Sequence, residues 1–172
     1  LRTAEKKSSS GLCFVPTTVK AYLEEASRAV PGNVVDASEG YAVVGEHRGV
    51  AFYTIGQKRG LGLHKSHLER YVLELRADSN EVVVGTREMC HWRTLEAGLR
   101  NFLTREELLP TRVQAQVRYR QQPEDATLTL LEGDRFRLEF DEPQFAVATG
   151  QSAVIYAGER LLGGGVIASR DA

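Results

Sequence analysis

The sequence contains two cysteines, Cys13 and Cys90, whose thiols are its strongest candidate nucleophiles. Cys13 follows a polar stretch that includes Lys6 and Lys7, and a segment with helical periodicity begins shortly after it. Positive charge and a nearby helix N-terminus lower the pKa of a thiol and favour the nucleophilic thiolate. Cys13 is therefore a candidate reactive cysteine, although a buried thiol between two apolar neighbours is the alternative.

The histidines offer less chemistry than their positions first suggest. Cys90 adjoins His91, but adjacent side chains of an extended chain point to opposite faces, which argues against a thiolate–imidazole pair. His64 and His67 would lie on one side of a helix, but the neighbouring sequence offers no Cys, Asp or third His as a further ligand. We therefore predict no metal site.

Two basic segments have the composition of nucleic-acid contacts. Lys58 and Arg59 lie among the glycines of residues 56–62, where backbone amides and cations together would suit a phosphate, although the Walker pattern GxxxxGK[ST] is absent. Residues 118–122 read Arg-Tyr-Arg-Gln-Gln, which can bind phosphate, stack on a base and hydrogen-bond a base edge. The respective alternatives are a solvated loop and a cross-strand aromatic with solvated arginines.

The overall composition limits the kind of binding that is possible. Of the 172 residues, 22 are basic and 23 are acidic, so a bulk polycation that coats nucleic acid is excluded, whereas a local basic patch is not. No apolar run is long enough for a membrane-spanning helix. Two cysteines without a CxxC pair favour a reducing compartment. Because the chain starts at Leu1 and no signal peptide follows, we expect a piece of a longer protein.

One helix and several short strands are predicted to carry these residues. Residues 17–28 have helical spacing and end before Pro31-Gly32, which predicts an amphipathic helix. Short apolar runs between turn residues predict strands at 33–36, 41–45, 50–55, 71–76 and 81–86, the last two joined as a hairpin through 78–80. Residues 91–110 are ambiguous, because Thr104 and Glu107 match a capping box but Pro110 leaves little room for a helix.

The remainder of the sequence is β-rich. Phe136, Leu138 and Phe140 alternate with polar residues, as in a strand with one buried face. Short strands are predicted at 113–119, 127–131, 135–140, 153–156 and 161–168, with turns such as 132–134 and 157–159, a pattern typical of a small closed barrel. The fold class is therefore mainly β with one N-terminal helix: a small α+β or all-β central domain followed by a C-terminal β-barrel.

Several stretches, in their order along the chain, resemble the tRNA-specific 2-thiouridylases, enzymes that place sulfur at C2 of the wobble uridine of tRNA. The resemblance covers nearly the whole chain. Its motifs are Lys6-Lys7, SGLCF at 10–14, GEHRG at 45–49, FYTIGQKRGLG at 52–62, Tyr71-Val72, Val84-Gly85, VRYRQ at 117–121, TGQ at 149–151, Val154–Tyr156 and LGGG at 162–165. Each motif alone is weak, but the ordered set is specific.

The resemblance implies a three-part enzyme of which this chain is roughly the back half. Residues 1–13 would be the linker from an N-terminal ATP-pyrophosphatase domain, whose SGGxDS loop and first catalytic cysteine are not in this sequence. Residues 14–92 would form the central domain. Residues 93–172 would form a C-terminal β-barrel similar to a barrel of translation elongation factors, and the chain alone would be inactive.

The resemblance also implies a chemistry and the residues that perform it. ATP, the co-substrate, would adenylate the uracil O2 at a site outside this chain, and a persulfide on Cys13 would deliver the replacing sulfur. Arg118, Tyr119 and Gln151 would contact tRNA. The implied partners are tRNA and a persulfide-bearing sulfur-donor protein, and we expect a cytoplasmic monomer without membrane attachment.

Two other functions are consistent with the same residues. A non-catalytic RNA-binding β-barrel module would use both basic segments, but it would need no exposed thiol at Cys13. A purely structural pair of domains would leave the basic loop at 56–62 solvated. Detectable RNA binding would separate these two alternatives from each other.

Overall fold

A computed structural model of the protein describes residues 30–63, 67 and 69–171. The predicted helix at 17–28 and the candidate nucleophile Cys13 lie outside these residues. No helix in the described ranges is long and apolar enough to cross a membrane. The described residues form a four-stranded sheet followed by a closed six-stranded barrel, which confirms the mainly β class with a small first unit and a C-terminal barrel.

The first unit is a mixed sheet. Its strands are β1 (Gly32–Asp36), β2 (Ala42–His47), β3 (Tyr71–Arg76) and β4 (Glu81–Gly85). They lie in the order β2-β1-β4-β3, with β1 and β4 parallel and the other two pairings antiparallel. The predicted strands at 33–36, 41–45, 71–76 and 81–86 are therefore confirmed to within a few residues, as is the turn that joins β3 to β4.

Both faces of this sheet are buried, because successive side chains of a strand point to opposite sides. One face packs under the loop that follows β2, and its core consists of Val34, Val44, Tyr53, Leu61, Val72, Val82 and Val84. The other face presents Val35, Leu73 and Val83, which cluster with Cys90 and Phe145 from the barrel side of the chain. The sheet therefore needs the barrel to complete its second core.

The second unit is an antiparallel barrel. Its strands are β5 (His91–Phe102), β6 (Arg112–Gln116), β7 (Glu124–Leu130), β8 (Phe136–Phe145), β9 (Ser152–Ala157) and β10 (Arg160–Asp171). They close in the order β10-β5-β8-β7-β6-β9. Phe136, Leu138 and Phe140 are all buried in the barrel core, which confirms the predicted alternation.

One local prediction is wrong, and the ambiguity at residues 91–110 is resolved. Residues 50–55 are not a strand: Val50–Phe52 form a 3-10 turn, and the run is apolar because it covers the sheet. Residues 91–102, which were ambiguous, form the 12-residue strand β5. Thr104 caps no helix, because the 3-10 turn Glu106–Leu108 starts after Arg105 and has no side-chain cap.

Arg170, near the end of β10, links the two units. Its guanidinium donates to the carbonyl oxygens of Val147 in the barrel and Leu73 in β3. Its guanidinium carbon also lies 4.5 Å from the centre of the Trp92 ring. Burial lowers the pKa of Arg170. The end of the barrel at which β5 begins and β6 and β8 end therefore faces the sheet, and we call this contact region the junction.

Candidate nucleic-acid interface

An exposed turn between β6 and β7 carries Arg118, Tyr119 and Arg120. The Gln121 amide donates to the Arg118 carbonyl oxygen at 3.2 Å, and Arg120 has a φ of +64°, in the left-handed region. The predicted strand through 119 is therefore too long, because β6 ends at Gln116. Tyr119 is 75% exposed, so it is not the cross-strand aromatic of the alternative interpretation.

Packing before the turn and hydrogen bonds after it hold this turn in place. Val117 is fully buried in the barrel core. The Gln121 side-chain amide donates to the side-chain oxygen of Gln144, which is buried in β8, and Gln144 in turn donates to the Glu142 carbonyl oxygen at 2.6 Å. The three exposed side chains of the turn are thus presented on a fixed backbone.

A pocket of about 310 Å³ lies beside the turn, with the Phe145 ring in its wall. The Arg118 guanidinium carbon lies 5.6 Å from the centre of the Phe145 ring, and the Arg120 guanidinium carbon lies 5.3 Å from the centre of the Tyr119 ring. An arginine at this distance from an aromatic face is attracted by the ring quadrupole. Each arginine therefore has an aromatic surface that orients it.

Gln151 lies at the same end of the barrel. In the β6–β9 ladder, Gln116 pairs with Val154, so the residues after β6 approach those that precede β9. The Gln151 amide donates to the Ala148 carbonyl oxygen at 3.3 Å, and its own carbonyl accepts from the Ile167 amide at 2.8 Å. Its side chain is exposed. The three residues predicted to contact tRNA thus lie on one rim of the barrel.

The glycine-rich loop at 56–62 is built against the junction. The Gly56 amide donates to the Val72 carbonyl oxygen at 2.8 Å, and the Gln57 amide to the Thr54 carbonyl oxygen at 3.0 Å. Gly56 has a φ of +80°, and a Cβ there would lie 2.4 Å from the Ala146 Cβ, so only glycine permits this approach to the barrel. Because these two amides are already bonded, they do not face a phosphate, whereas a phosphate contact by the rest of the loop stays a prediction.

The two basic segments are connected by aromatic rings. Lys58 Nζ lies 5.7 Å from the centre of the Tyr71 ring, and Tyr71 packs edge-on against Phe145 at 5.7 Å between centres. Lys58 also pairs with Glu69 at 2.6 Å, and this hydrogen bond raises the pKa of Lys58. Its charge is therefore partly neutralised within the chain.

Among the described residues, one group has possible metal ligands in reach of each other: Asp36, Glu39 and His67. Arg70 occupies this group, with Nε 2.5 Å from an Asp36 oxygen and Nη2 3.3 Å from a Glu39 oxygen. Burial alone would raise the pKa of Asp36, but hydrogen bonds from Ser38 and Arg70 outweigh it and the pKa is lowered. The arrangement is that of an ion-pair network, and the absence of a metal stays a prediction.

Cys90 and His91 do not form a catalytic pair. Cys90 is 1% exposed, and burial raises the pKa of its thiol to about 11. The His91 Nδ1–H donates to the carbonyl oxygens of Arg87 at 3.0 Å and Glu88 at 3.3 Å, which directs the imidazole to the backbone. Cys90 is therefore a packing residue, whereas Cys13 and His64 lie outside the described residues.

We expect native Cys90 to resist alkylation and Cys13 to be labelled first. At pH 8 a thiol with a pKa of about 11 is about 0.1% thiolate, and only the thiolate reacts. Timed iodoacetamide labelling followed by peptide mass spectrometry measures both rates. In the unfolded protein the two cysteines should react alike. A native Cys90 that reacts as fast as it does in urea, or faster than Cys13, contradicts the expectation.

Arg87 belongs to the surface around the Arg118 turn, although nothing in its sequence context predicts a binding role. It lies between β4 and β5, and its guanidinium carbon is 5.4 Å from the centre of the Phe145 ring. It sits in no basic run and no motif. Only the packing of Phe145 at the junction brings it to the same ring as Arg118.

Two family models match the chain. Residues 18–86 match a model described as a tRNA methyl transferase PRC-barrel domain, and residues 92–167 match one described as an aminomethyltransferase beta-barrel domain. The first match covers the four-stranded sheet and the second covers most of the barrel.

The chain is also similar to curated proteins named tRNA-specific 2-thiouridylase MnmA. The one from Deinococcus radiodurans is 49% identical over 168 residues, which are 98% of this chain and 44% of that protein. The one from Thermus thermophilus is 48% identical over 167 residues, 97% of this chain and 44% of that protein. The one from Nostoc punctiforme is 40% identical over 170 residues, 97% of this chain and 48% of that protein. The chain therefore spans less than half the length of these relatives.

Proposed function

Because the chain belongs to the tRNA-specific 2-thiouridylase family, we propose that it supplies the sulfur-carrying cysteine and a tRNA-binding surface to an enzyme that makes 2-thiouridine at the wobble position of tRNA. Residues 14–92 and 93–172 are proposed as the central and C-terminal domains. The observation that carries the proposal is the exposed Arg118-Tyr119-Arg120 turn, held on the rim of a barrel that also bears Gln151.

The role proposed for each residue follows from the chemistry of its side chain. Arginines at 118 and 120 suit phosphates, an exposed tyrosine suits stacking on an unpaired base, and Gln151 can hydrogen-bond a base edge. Cys13 accepts a sulfane sulfur from the persulfide of a donor protein, which forms a new S–S bond and releases the donor thiol. ATP, bound outside this chain, is the proposed co-substrate that activates the uracil oxygen. A cytoplasmic monomer remains the proposed state.

The binding half of this proposal predicts two different losses. Arg118→Ala should reduce the slope of log affinity against log salt by about 0.7 to 0.9, because one phosphate contact is lost. Tyr119→Ala should cost about 1 to 3 kcal/mol of binding free energy through lost stacking, whereas Tyr119→Phe keeps the ring and should bind nearly as wild type. Fluorescence anisotropy with labelled tRNA across a salt series measures these effects.

Arg160→Ala is the matched control for these variants. Arg160 is also an exposed arginine, but it begins β10 at the barrel end opposite the junction. Its removal should leave both affinity and salt slope unchanged. If Arg118→Ala and Tyr119→Ala, each with an unchanged melting curve, both bind tRNA as the wild-type protein does, this rim is not the tRNA surface and the proposal fails.

A further inference from the structure

We propose that Arg87 and Arg118 form one phosphate-binding site that holds the RNA backbone across the junction between sheet and barrel. The inference rests on the proposed tRNA-binding function and extends its surface to a residue of the first unit. It assigns Arg87 a contact with RNA and Phe145 the role of positioning both arginines. The ligand is a phosphodiester group of the RNA backbone.

The geometry starts from a single ring. The guanidinium carbons of Arg87 and Arg118 lie 5.4 and 5.6 Å from the centre of Phe145, so they are at most about 11 Å apart, the sum of the two distances. Arg87 comes from the connection between β4 and β5, and Arg118 from the β6–β7 turn. Two cations from distant parts of the sequence therefore converge on the half-buried Phe145.

The charge of this pair is available to a ligand. Within residues 30–63, 67 and 69–171, neither guanidinium forms an ion pair with a carboxylate, and both side chains are exposed. Several other arginines of the barrel are neutralised by carboxylates: Arg112 pairs with Asp141, and Glu96 pairs with both Arg135 and Arg137. Hydrogen bonds from the backbone and from Thr86, and then the charge of Arg87, lower the pKa of the adjacent Glu88. Glu88 forms no ion pair with Arg87, so the two guanidinium groups still repel each other, and a bound phosphate would relieve that repulsion.

The Phe145 ring, which both arginines contact, is packed against several other residues. Tyr71 packs edge-on against Phe145 at 5.7 Å between ring centres, and His91 packs against it at 5.4 Å. A Cβ placed on Gly56 would be 3.4 Å from the nearest Phe145 ring atom, so the glycine-rich loop also abuts the ring. Both arginines are therefore oriented before a ligand arrives, which reduces the entropy lost on binding.

The surroundings favour RNA over an acidic protein segment as the ligand. Tyr119 follows Arg118 directly and is 75% exposed, and the Arg120 guanidinium carbon lies 5.3 Å from its ring centre, so a solvent-accessible aromatic ring lies beside the two cations. A phosphate site next to a stacking surface is the arrangement that single-stranded nucleic acid requires. An acidic peptide would use the two charges but would gain less from an exposed tyrosine ring.

The test measures binding of labelled tRNA to the full chain across a salt series. The variants are Arg87→Ala, Arg87→Lys, Arg118→Ala and the Arg87→Ala/Arg118→Ala double variant. Arg160→Ala is the control. Arg87→Ala should weaken binding about tenfold at low salt and reduce the salt slope by about 0.7 to 0.9. Arg87→Lys should retain the slope because the charge remains. Since both arginines hold the same phosphate, the double variant should lose less affinity than the product of the two single losses.

The outcomes separate this inference from the proposed function. Wild-type binding by Arg87→Ala together with weakened binding by Arg118→Ala overturns the shared site and leaves the rim of the barrel as the tRNA surface. Weakened binding by Arg87→Ala without a change of slope also overturns it, since no phosphate contact has been lost. If polyglutamate binding falls in Arg87→Ala while tRNA binding does not, the site takes an acidic protein segment instead. Wild-type binding by both single variants also overturns the shared site, and the proposed function is rejected with it only if Tyr119→Ala binds tRNA as the wild-type protein does.

Discussion

Phe136→Ala is expected to lower the free energy of unfolding by about 3 to 5 kcal/mol, the largest stability effect that we predict. Phe136 starts β8, is fully buried and packs 5.7 Å from the Phe102 ring centre. A Cβ on Gly165 would lie 2.7 Å from the Phe136 ring, so β10 approaches it too closely for any other residue at that position. The alanine variant would leave a cavity between strands that cannot close onto it.

Urea denaturation followed by tryptophan fluorescence measures this loss, because Trp92, the single tryptophan, lies in β5 of the barrel. The midpoint should fall while the slope with denaturant stays the same. Tyr119→Ala is the matched control: it also removes an aromatic ring, but one that is 75% exposed, and should change stability by less than about 0.5 kcal/mol. Equal midpoints for the two variants would show that Phe136 does not support the barrel.

The sequence predicts the strands whose residue pattern or turn residues alone show which side chains are buried and where the chain reverses. Phe136, Leu138 and Phe140 alternate with polar residues because one face of β8 fills the barrel interior, and this period is visible without any tertiary information. The β3–β4 hairpin is visible for a similar reason, since its turn residue Asn80 tolerates the φ of +52° that the turn requires.

Other segments owe their conformation to distant contacts, and there the sequence misleads. Residues 50–55 are apolar because they cover one face of the sheet, which an apolar count cannot distinguish from a strand. β5 is obscured because only Leu95 and Ala97 are buried, so apolar and polar residues do not alternate along it. Leu99 also has a φ of +50°, which interrupts the regular strand. Tertiary packing decides both cases.

In the candidate site, too, some residues can be recognised from the sequence and others only from the structure. Arg118 and Tyr119 are recognisable as a pair because they are adjacent and their side chains suit RNA. Arg87 and Phe145 cannot be recognised as binding-site residues from the sequence, because one is an isolated arginine and the other an apolar residue at a strand end. Only the fold brings both of them close to Arg118 at the junction. The amides of Gly56 and Gln57 show the reverse case: the sequence offers them to a ligand, but in the structure they donate to the carbonyl oxygens of Val72 and Thr54.

Cys13→Ser, in a protein that also carries the proposed ATP-pyrophosphatase domain, is expected to abolish 2-thiouridine formation. A serine hydroxyl cannot carry a sulfane sulfur as a stable S–S bond, so no other group takes over the transfer. The affinity for tRNA should remain as in the wild-type protein, because the proposed binding residues Arg118, Tyr119 and Gln151 are unchanged. Thiolated nucleosides are quantified by mass spectrometry after digestion of the tRNA.

Cys90→Ala is the matched control, because it removes the other cysteine, whose thiol is buried among Val35, Leu73 and Val83 and has a pKa raised to about 11. This variant should still form thiouridine at any temperature at which it stays folded. Incubation with a persulfide donor should add one sulfur to the wild-type protein and to Cys90→Ala, but none to Cys13→Ser. Thiouridine formation by Cys13→Ser, or loss of the added sulfur in Cys90→Ala alone, would mean that Cys13 is not the residue that carries sulfur to the tRNA.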